Sequence, residues 1–373
     1  MIFIPTDHLK AGMVLAMDID IGIGKLPLLT KEQVLTPGFI QRIRDLNIAG
    51  VYIESKQFED VAFKETISRK LKQEALTNIK KIFENFSRKT LVSDASLKTI
   101  SNLASSLVEN ILSNNEVVVN LSDLKGHDDY TYSHSLSVAI LSIMIGNRLG
   151  FGRRLLTDLA AAALLHDLGK MKIDVRILNK QDKLTDEEFE ALKEHPDIAC
   201  DHLRKSKIFS MSVLEGVGSH HERYDGSGYP KALVADGIPL FGRILAVADV
   251  YDAITSNRSY RKAWFANEAI EYMMANAEIH FDFDILKAFL KSVAVYPVGT
   301  FVTLSNGQTA LIIKNQPGNT LRPVIRIVGE DGSCTEDIDL MSDFNYISIT
   351  ITGRCCDSHF FDLGTGSSEP EGN

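Results

Sequence analysis

Apolar residues recur every three or four positions through the middle of this chain, whereas its two ends carry short β-branched runs broken by turn residues. The spacing predicts helices over His127 to Leu149 and Leu155 to Leu168, another opened by the capping box Thr185-x-x-Glu188, and further segments near residues 210, 240, 267 and 284. Almost no strand signal interrupts residues 121–295, so this stretch reads as an all-helical domain. Ahead of it, FKETISRKLKQEALTNIKKIFENF is charged and helical and marks residues 57–120 as a connecting helical region. Residues 1–56 mix short apolar runs, such as Val51 to Ile53, with one helix opened by Thr36 as N-cap and Pro37 as first helical residue, which predicts a small α+β module. From Tyr296 the β-branched runs and the turn pairs Asn306-Gly307 and Pro317-Gly318 predict hairpins, a small β-rich module over 296–351. Residues 352–373, ending GTGSSEPEGN, are expected to be disordered. The fold class that results is mainly α, flanked by two small modules.

Composition narrows what such a fold can do. With 373 residues, 45% hydrophobic and 24% charged, the chain has the makeup of an ordinary folded protein of two or three domains. Lys and Arg number 40 against 49 Asp and Glu, a net charge of -9. That field disfavours nucleic acid polymers, and any anionic ligand needs a locally positive pocket. The four cysteines, Cys200, Cys334, Cys355 and Cys356, form no C-x-x-C pair, which fits a reducing cytoplasm and suggests neither disulfides nor a thiolate zinc site. The start MIFIPTDHLKAGM lacks the apolar run of a signal peptide, and no stretch reaches the roughly 18 apolar residues of a membrane span. A cytoplasmic location without a membrane span is expected.

The candidate chemistry lies in the helical middle, which holds His134, His166, His195, His220 and His221 together with Asp167 and Asp249. His134 shares a helical face with Val138, Leu141 and Ile145, and His166 one with Leu156, Leu159 and Ala163, so both imidazoles should point into the core. Either one alone reads as an ordinary hydrogen-bonded core histidine; the ensemble points to a metal. Imidazole and carboxylate without thiolate suit iron, manganese or zinc better than calcium or magnesium, and five histidines exceed one four-coordinate site. Two divalent ions are the expected count. Such a pair activates water and clamps a phosphoryl oxygen, so phosphoester hydrolysis is the expected reaction.

The adjacent His166-Asp167 with Gly169-Lys170 resembles the signature of the HD phosphohydrolases. The run HHERYDGSGYP from His220 to Pro230, followed by ILAVADVYDAITSNRSYRKA, is similar to the HD-GYP subfamily of cyclic di-GMP phosphodiesterases over about residues 128–296. The resemblance implies an HD-type catalytic domain in which His134, His166, Asp167 and Asp249 hold one ion and Asp167 bridges to a second held by His195, His220 and His221, with iron or manganese favoured. It implies Lys170 and Asp167 as catalytic groups and Tyr229, Arg258 and Arg261 as substrate-binding groups. Asp252, three residues after Asp249, is either a partner behind the ligands or a helix-surface carboxylate. Departures from the family pattern are Tyr130, where some members have a glutamate for a third metal, Ser259, Ala199 and Gln181-Asp182; none removes a ligand. IPTDHLKAGMVLAMDI and its continuation resemble the small domain of unknown function that often precedes HD-GYP domains. The activity implied is hydrolysis of cyclic di-GMP to pGpG, and onward to GMP, in bacterial signalling. A weakly catalytic cyclic di-GMP receptor or scaffold, or another HD-type nucleotide phosphohydrolase, stays open as an alternative. A homodimer and signalling-protein partners stay open as well.

Overall fold

Thr36 accepts from Phe39 N and Pro37, with no N–H to leave unbonded, fills the first helical position after it. Local signals of this kind recur through the computed structural model, which describes residues 1–19, 27–61, 65–88, 92–113, 130–180, 182–256 and 263–365. In chain order these form β1 (Ile2–Pro5), α1 (Pro37–Asp45) and β2 (Gly50–Ile53). Then come α2 (Arg69–Arg88), α3 (Asp94–Leu112), α4 (Tyr130–Arg148), α5 (Arg153–Leu165), α6 (Val175–Leu178), α7 (Asp186–Lys193), α8 (His195–Ser206), α9 (Met211–Ser219), α10 (Leu240–Thr255), α11 (Ala266–Ala275) and α12 (Phe283–Leu290). The last elements are β3 (Phe301–Leu304), β4 (Thr309–Lys314), β5 (Val324–Ile327), β6 (Ile338–Asp339), β7 (Ile351–Arg354) and α13 (Ser358–Thr365). No described helix is long and apolar enough to cross a membrane.

Residues Thr66–Val293 form one compact unit, made of α2 to α12. Its centre is α4, buried continuously from Ser133 to Gly146, because small residues (Ser133, Ser135, Ser137, Ala139, Ser142, Gly146) on the faces between its large apolar ones let neighbours approach on every side. α5 and α10 pack against it, and α9 packs against α5, α8 and α10. The amphipathic α2, with Ile79, Phe83 and Phe86 inward, and α3, with Leu103, Leu107 and Ile111 inward, close over α4 and α5. Of the residues expected to connect two modules, those of α2 and α3 therefore belong to the helical core itself.

The other unit joins Met1–Glu65 to the residues from Ala294 onward. β1 and β2 pair antiparallel, with Ile2 opposite Ile53, and a five-stranded sheet runs in the order β6-β5-β4-β3-β7 with every neighbour antiparallel. Gly307, at a φ of 85°, turns β3 into β4 as its Asn-Gly pair predicts. The two ends of the chain share one core, in which Ile4, Ile43, Ile53 and Phe58 pack with Phe301, Leu311 and Phe361. Polar contacts tie them too: Phe3 N donates to Gly299 O at 2.8 Å, and the Arg326 guanidinium lies 2.6 Å from the Asp60 carboxylate. The expected disorder from 352 onward does not hold over the described part. β7 ends at Arg354 and α13 spans Ser358–Thr365, because Phe360 and Phe361 supply the apolar side chains that the polar tail around them conceals.

Candidate metal centre

Helix ends build this site. His166 caps the C-terminus of α5 and Asp167 follows it, His220 caps the C-terminus of α9, and His195 opens α8. His134 lies one turn into α4, and Asp249 projects from the middle of α10. The C-terminal ends of α5 and α9, where unbonded carbonyls gather partial negative charge, both meet the cluster, an arrangement that favours a cation. One ligand-type atom from each of Asp167, His195, His220 and His221 lies within 4.8 Å of the others, and the same holds for His134, His166 and Asp167. Asp167 belongs to both groups. Asp249 borders each of them, with Oδ1 3.0 Å from His134 Nε2 and Oδ2 3.8 Å from His221 Nδ1.

Hydrogen bonding sets the tautomers. Nδ1 of His166, His195 and His220 lies 2.7, 2.8 and 2.7 Å from the carbonyl oxygens of Ala163, Leu192 and Val217, each three residues earlier. A carbonyl only accepts, so each Nδ1 carries the proton and each Nε2 presents a lone pair. The Nε2 atoms of His195 and His220 stand 3.3 Å apart and lie 3.6 and 3.9 Å from Asp167 Oδ1. Lone pairs converging on a carboxylate oxygen at such distances repel one another unless a cation lies among them. His166 Nε2 and His221 Nε2 are likewise buried with no hydrogen-bond partner. Buried acceptors without donors carry a large desolvation penalty, and here they all face the same small volume.

Charge follows the same logic. Burial pushes the proton off four histidines: His166 and His220 titrate below their ordinary range, His195 is lowered to about 4 and His221 to about 3. For His134 burial acts the same way, but hydrogen bonds to Asp249 and Asp252 outweigh it and raise the imidazole to about 10. Burial also opposes ionisation of Asp167 and Asp249, yet both carboxyls end well below the usual range. Charge interactions with His166 and Lys170 overcome it at Asp167, and the His134 hydrogen bond does so at Asp249. His166 is itself neutral near pH 7, so the Lys170 ammonium, 2.7 Å from each Asp167 oxygen, is the working cause. The neutral imidazole lone pairs of His166, His195, His220 and His221 beside ionised carboxylates are the donor set of a divalent first-row metal ion and fit one; His134 joins them by giving up the proton that its Nε2 shares with Asp249.

Two glycines make room. A Cβ on Gly169 would overlap the His195 carbonyl, so the turn between Asp167 and Lys170 reaches α8 only without a side chain; a Cβ on Gly228 would strike the backbone of His221 to Arg223. The loop that Gly228 allows lays the Tyr229 ring on His221, with centroids 4.7 Å apart and planes 29° from parallel. Lys170 is partly open, its side chain 27% exposed.

Asp252 resolves toward the site: its Oδ2 lies 2.7 Å from His134 Nδ1, with both side chains buried. Tyr130, where some family members place a glutamate, stacks on the His134 ring at 5.3 Å. Arg258, Ser259 and Arg261 lie outside the described residues, as does Gln181. Glu222 escaped sequence reasoning. It is buried, and its carboxylate accepts from Lys231 N at 2.8 Å and Leu233 N at 3.0 Å, tying down the far side of the Tyr229 loop. The signal was a carboxylate directly after two histidines, read only as part of a motif.

Comparison with known proteins agrees with this architecture. The HD domain family matches residues 99–285. The cyclic di-GMP phosphodiesterase PA4108 of Pseudomonas aeruginosa is 39% identical over 227 residues, 61% of this chain and 55% of that protein. The 3'3'-cGAMP-specific phosphodiesterase 2 of Vibrio cholerae is 30% identical over 235 residues, 62% of this chain and 42% of that protein. The chain thus spans about half the length of these curated relatives. Among solved structures, Bd1817, an HDG"Y"P protein from Bdellovibrio bacteriovorus, shares the fold with a TM-score of 0.50 at 19% identity, covering 77% of this chain and 97% of that one. A family match over half the sequence, running through the helices that carry the histidine cluster, shows that this chain belongs to the HD domain family.

Proposed function

We propose that this chain is a metal-dependent phosphodiesterase that hydrolyses cyclic di-GMP to linear pGpG and then to GMP. The observation that carries the reading is the convergence of unpaired, deprotonated imidazole nitrogens on the Asp167 carboxylate. His134, His166, Asp167 and Asp249 hold one ion, and Asp167, His195, His220 and His221 hold a second, with iron or manganese suited to this nitrogen and oxygen set. Bound there, divalent ions polarise a phosphoryl oxygen and lower the pKa of an attacking water.

The chain's own residues do the rest. Asp167 fixes Lys170 through both carboxylate oxygens, which aims a partly open ammonium at the site. That ammonium meets negative charge growing on the phosphate, and it donates a proton to the sugar oxygen as its bond to phosphorus breaks. Tyr229 walls the site beside His221, and Arg258 with Arg261 grip phosphate by charge-assisted hydrogen bonds. These cations give an acidic protein the local positive field that a cyclic dinucleotide needs. The protein acts in the cytoplasm as a signalling enzyme. The similarity to a relative named for 3'3'-cGAMP makes the hybrid cyclic dinucleotide the second reading.

Anaerobic purification with metal quantified per chain, followed by incubation with cyclic di-GMP and chromatography of products, tests the proposal. About two iron or manganese ions per chain with pGpG appearing is the expected result, and Asp167→Ala removes the turnover. Metal and tight binding without turnover would convert the reading to a receptor. Turnover confined to other nucleotides would make it a different hydrolase.

A further inference from the structure

α7 has no fully buried residue, its Ala191, Leu192 and Lys193 being half-buried. Its start is held in place: Thr185 and Glu188 form the capping box, and Lys180 pairs with Glu188 at 2.5 Å. On a helix with no fully buried residue, the large apolar Phe189 stands 42% exposed. Its surroundings are specific. The Tyr229 ring lies 6.1 Å away at 80° to it, and Lys193 Nζ stands 4.7 Å from the Phe189 centroid and 6.0 Å from that of Tyr229. Lys193 is two residues from His195, and Tyr229 stacks on His221, so the group is continuous with the histidine cluster.

An open aromatic ring backed by a cation, one ring removed from a phosphate-processing centre, has the chemistry of a nucleobase platform. Stacking on phenyl rings recognises any base by its π-face, and a flanking ammonium adds attraction for the sugar-phosphate. Acidic residues run along α7 at Asp186, Glu187, Glu188 and Glu190, and Lys193 pairs with Glu190 at 2.7 Å, so the recognition offered here is chiefly that of the ring face. We propose that Phe189, with Tyr229 and Lys193 behind it, is the subsite that stacks a purine base of the substrate. This deepens the phosphodiesterase reading and rests on it.

The test compares the wild-type chain with Phe189→Ala and Phe189→Tyr on two substrates: cyclic di-GMP, and a 1-deoxyribose dinucleotide diester that lacks both bases. Binding of a 2-aminopurine-substituted cyclic dinucleotide, read by fluorescence quenching, is measured alongside. Phe189→Ala should raise KM for cyclic di-GMP by about fivefold to a hundredfold at nearly constant kcat, and weaken the quench, while cleavage of the base-free diester is unaffected. Phe189→Tyr should restore both. An unchanged KM in Phe189→Ala, or equal losses on both substrates, overturns the subsite. If the wild type cleaves neither substrate, the phosphodiesterase reading fails; the quench then still decides the subsite, which stands if Phe189→Ala loses it and falls if wild type and variant quench alike or neither does.

Discussion

Replacing Asp252 tests whether the metal centre depends on a residue that holds a ligand histidine without being a ligand itself. Its carboxylate holds His134 Nδ1 at 2.7 Å with the two side chains only 3% and 2% exposed, so no water competes for the bond. Asp252→Asn keeps the volume and an acceptor oxygen but removes the charge, and Asp252→Ala removes both. A buried hydrogen bond to a charged group contributes about 1.5–3 kcal/mol net, and about 1.4 kcal/mol corresponds to a factor of ten in affinity. The structure therefore predicts a loss of metal affinity of about tenfold for Asn and approaching a hundredfold for Ala, the range typical of carboxylates that orient a metal-bound histidine. Manganese is titrated into the metal-free full chain against a competing chelator, with circular dichroism verifying the fold. On the two-ion reading proposed above, the effect should fall on the ion held by His134. His195 and His220 are set by backbone carbonyls and do not depend on Asp252. Equal weakening of both ions, or affinities unchanged within twofold in the Ala variant, would refute the reasoning.

Three further outcomes are expected. Gly169→Ala should expel His195 from register with Asp167, lowering metal content per chain more than it lowers thermal stability, because the added Cβ meets the His195 carbonyl instead of a movable side chain; full metal loading would contradict this. Phe361→Ala should destabilise the unit formed by the two chain ends by about 3–5 kcal/mol in denaturant titrations, since that ring is 2% exposed within their shared core, and a change below about 1 kcal/mol would show that α13 does not belong to it. The hydrogen bond from Arg326 holds the Asp60 carboxyl below its ordinary value, so its stabilisation is present above the unfolded pKa of about 4 and lost as pH falls through the folded value. The stability difference between wild type and Arg326→Met should therefore shrink on acidification toward pH 3, and a difference that grows instead would contradict the pairing.

Much of this was legible in the sequence because the signals were local. The capping box at Thr185, the Asn306-Gly307 turn and the N-cap at Thr36 each depend on a few neighbouring residues, and each stands where its pattern put it. The inward direction of His134 and His166 followed from helical spacing alone. What stayed hidden depends on contacts distant in sequence. Nothing near Ile4 or Phe301 announces that the two chain ends share a core, and Phe360-Phe361 is too short a run to outweigh the polar tail around it. Glu222 was equally illegible, since its partners are backbone N–H groups nine and eleven residues on, which carry no sequence signature.

The manner of anchoring also says why this cluster tolerates so much buried polarity. Three of its histidines bond to carbonyls three residues earlier, so their orientation is set by the ends of α5 and α9 and by the junction of α7 with α8, and no second side chain must be placed correctly. His134 differs: its direction depends on Asp252 from α10, and hence on the packing of α10 against α4. His166, His195 and His220 are thus oriented by local backbone and His134 by a tertiary interface. Asp167 belongs to both ligand groups, and the turn that carries it passes α8 only because Gly169 has no side chain. A change in the α4 and α10 contact therefore moves His134 while His166, His195 and His220 stay held by their carbonyls, which makes that interface a physical route by which the rest of the helical unit reaches the centre.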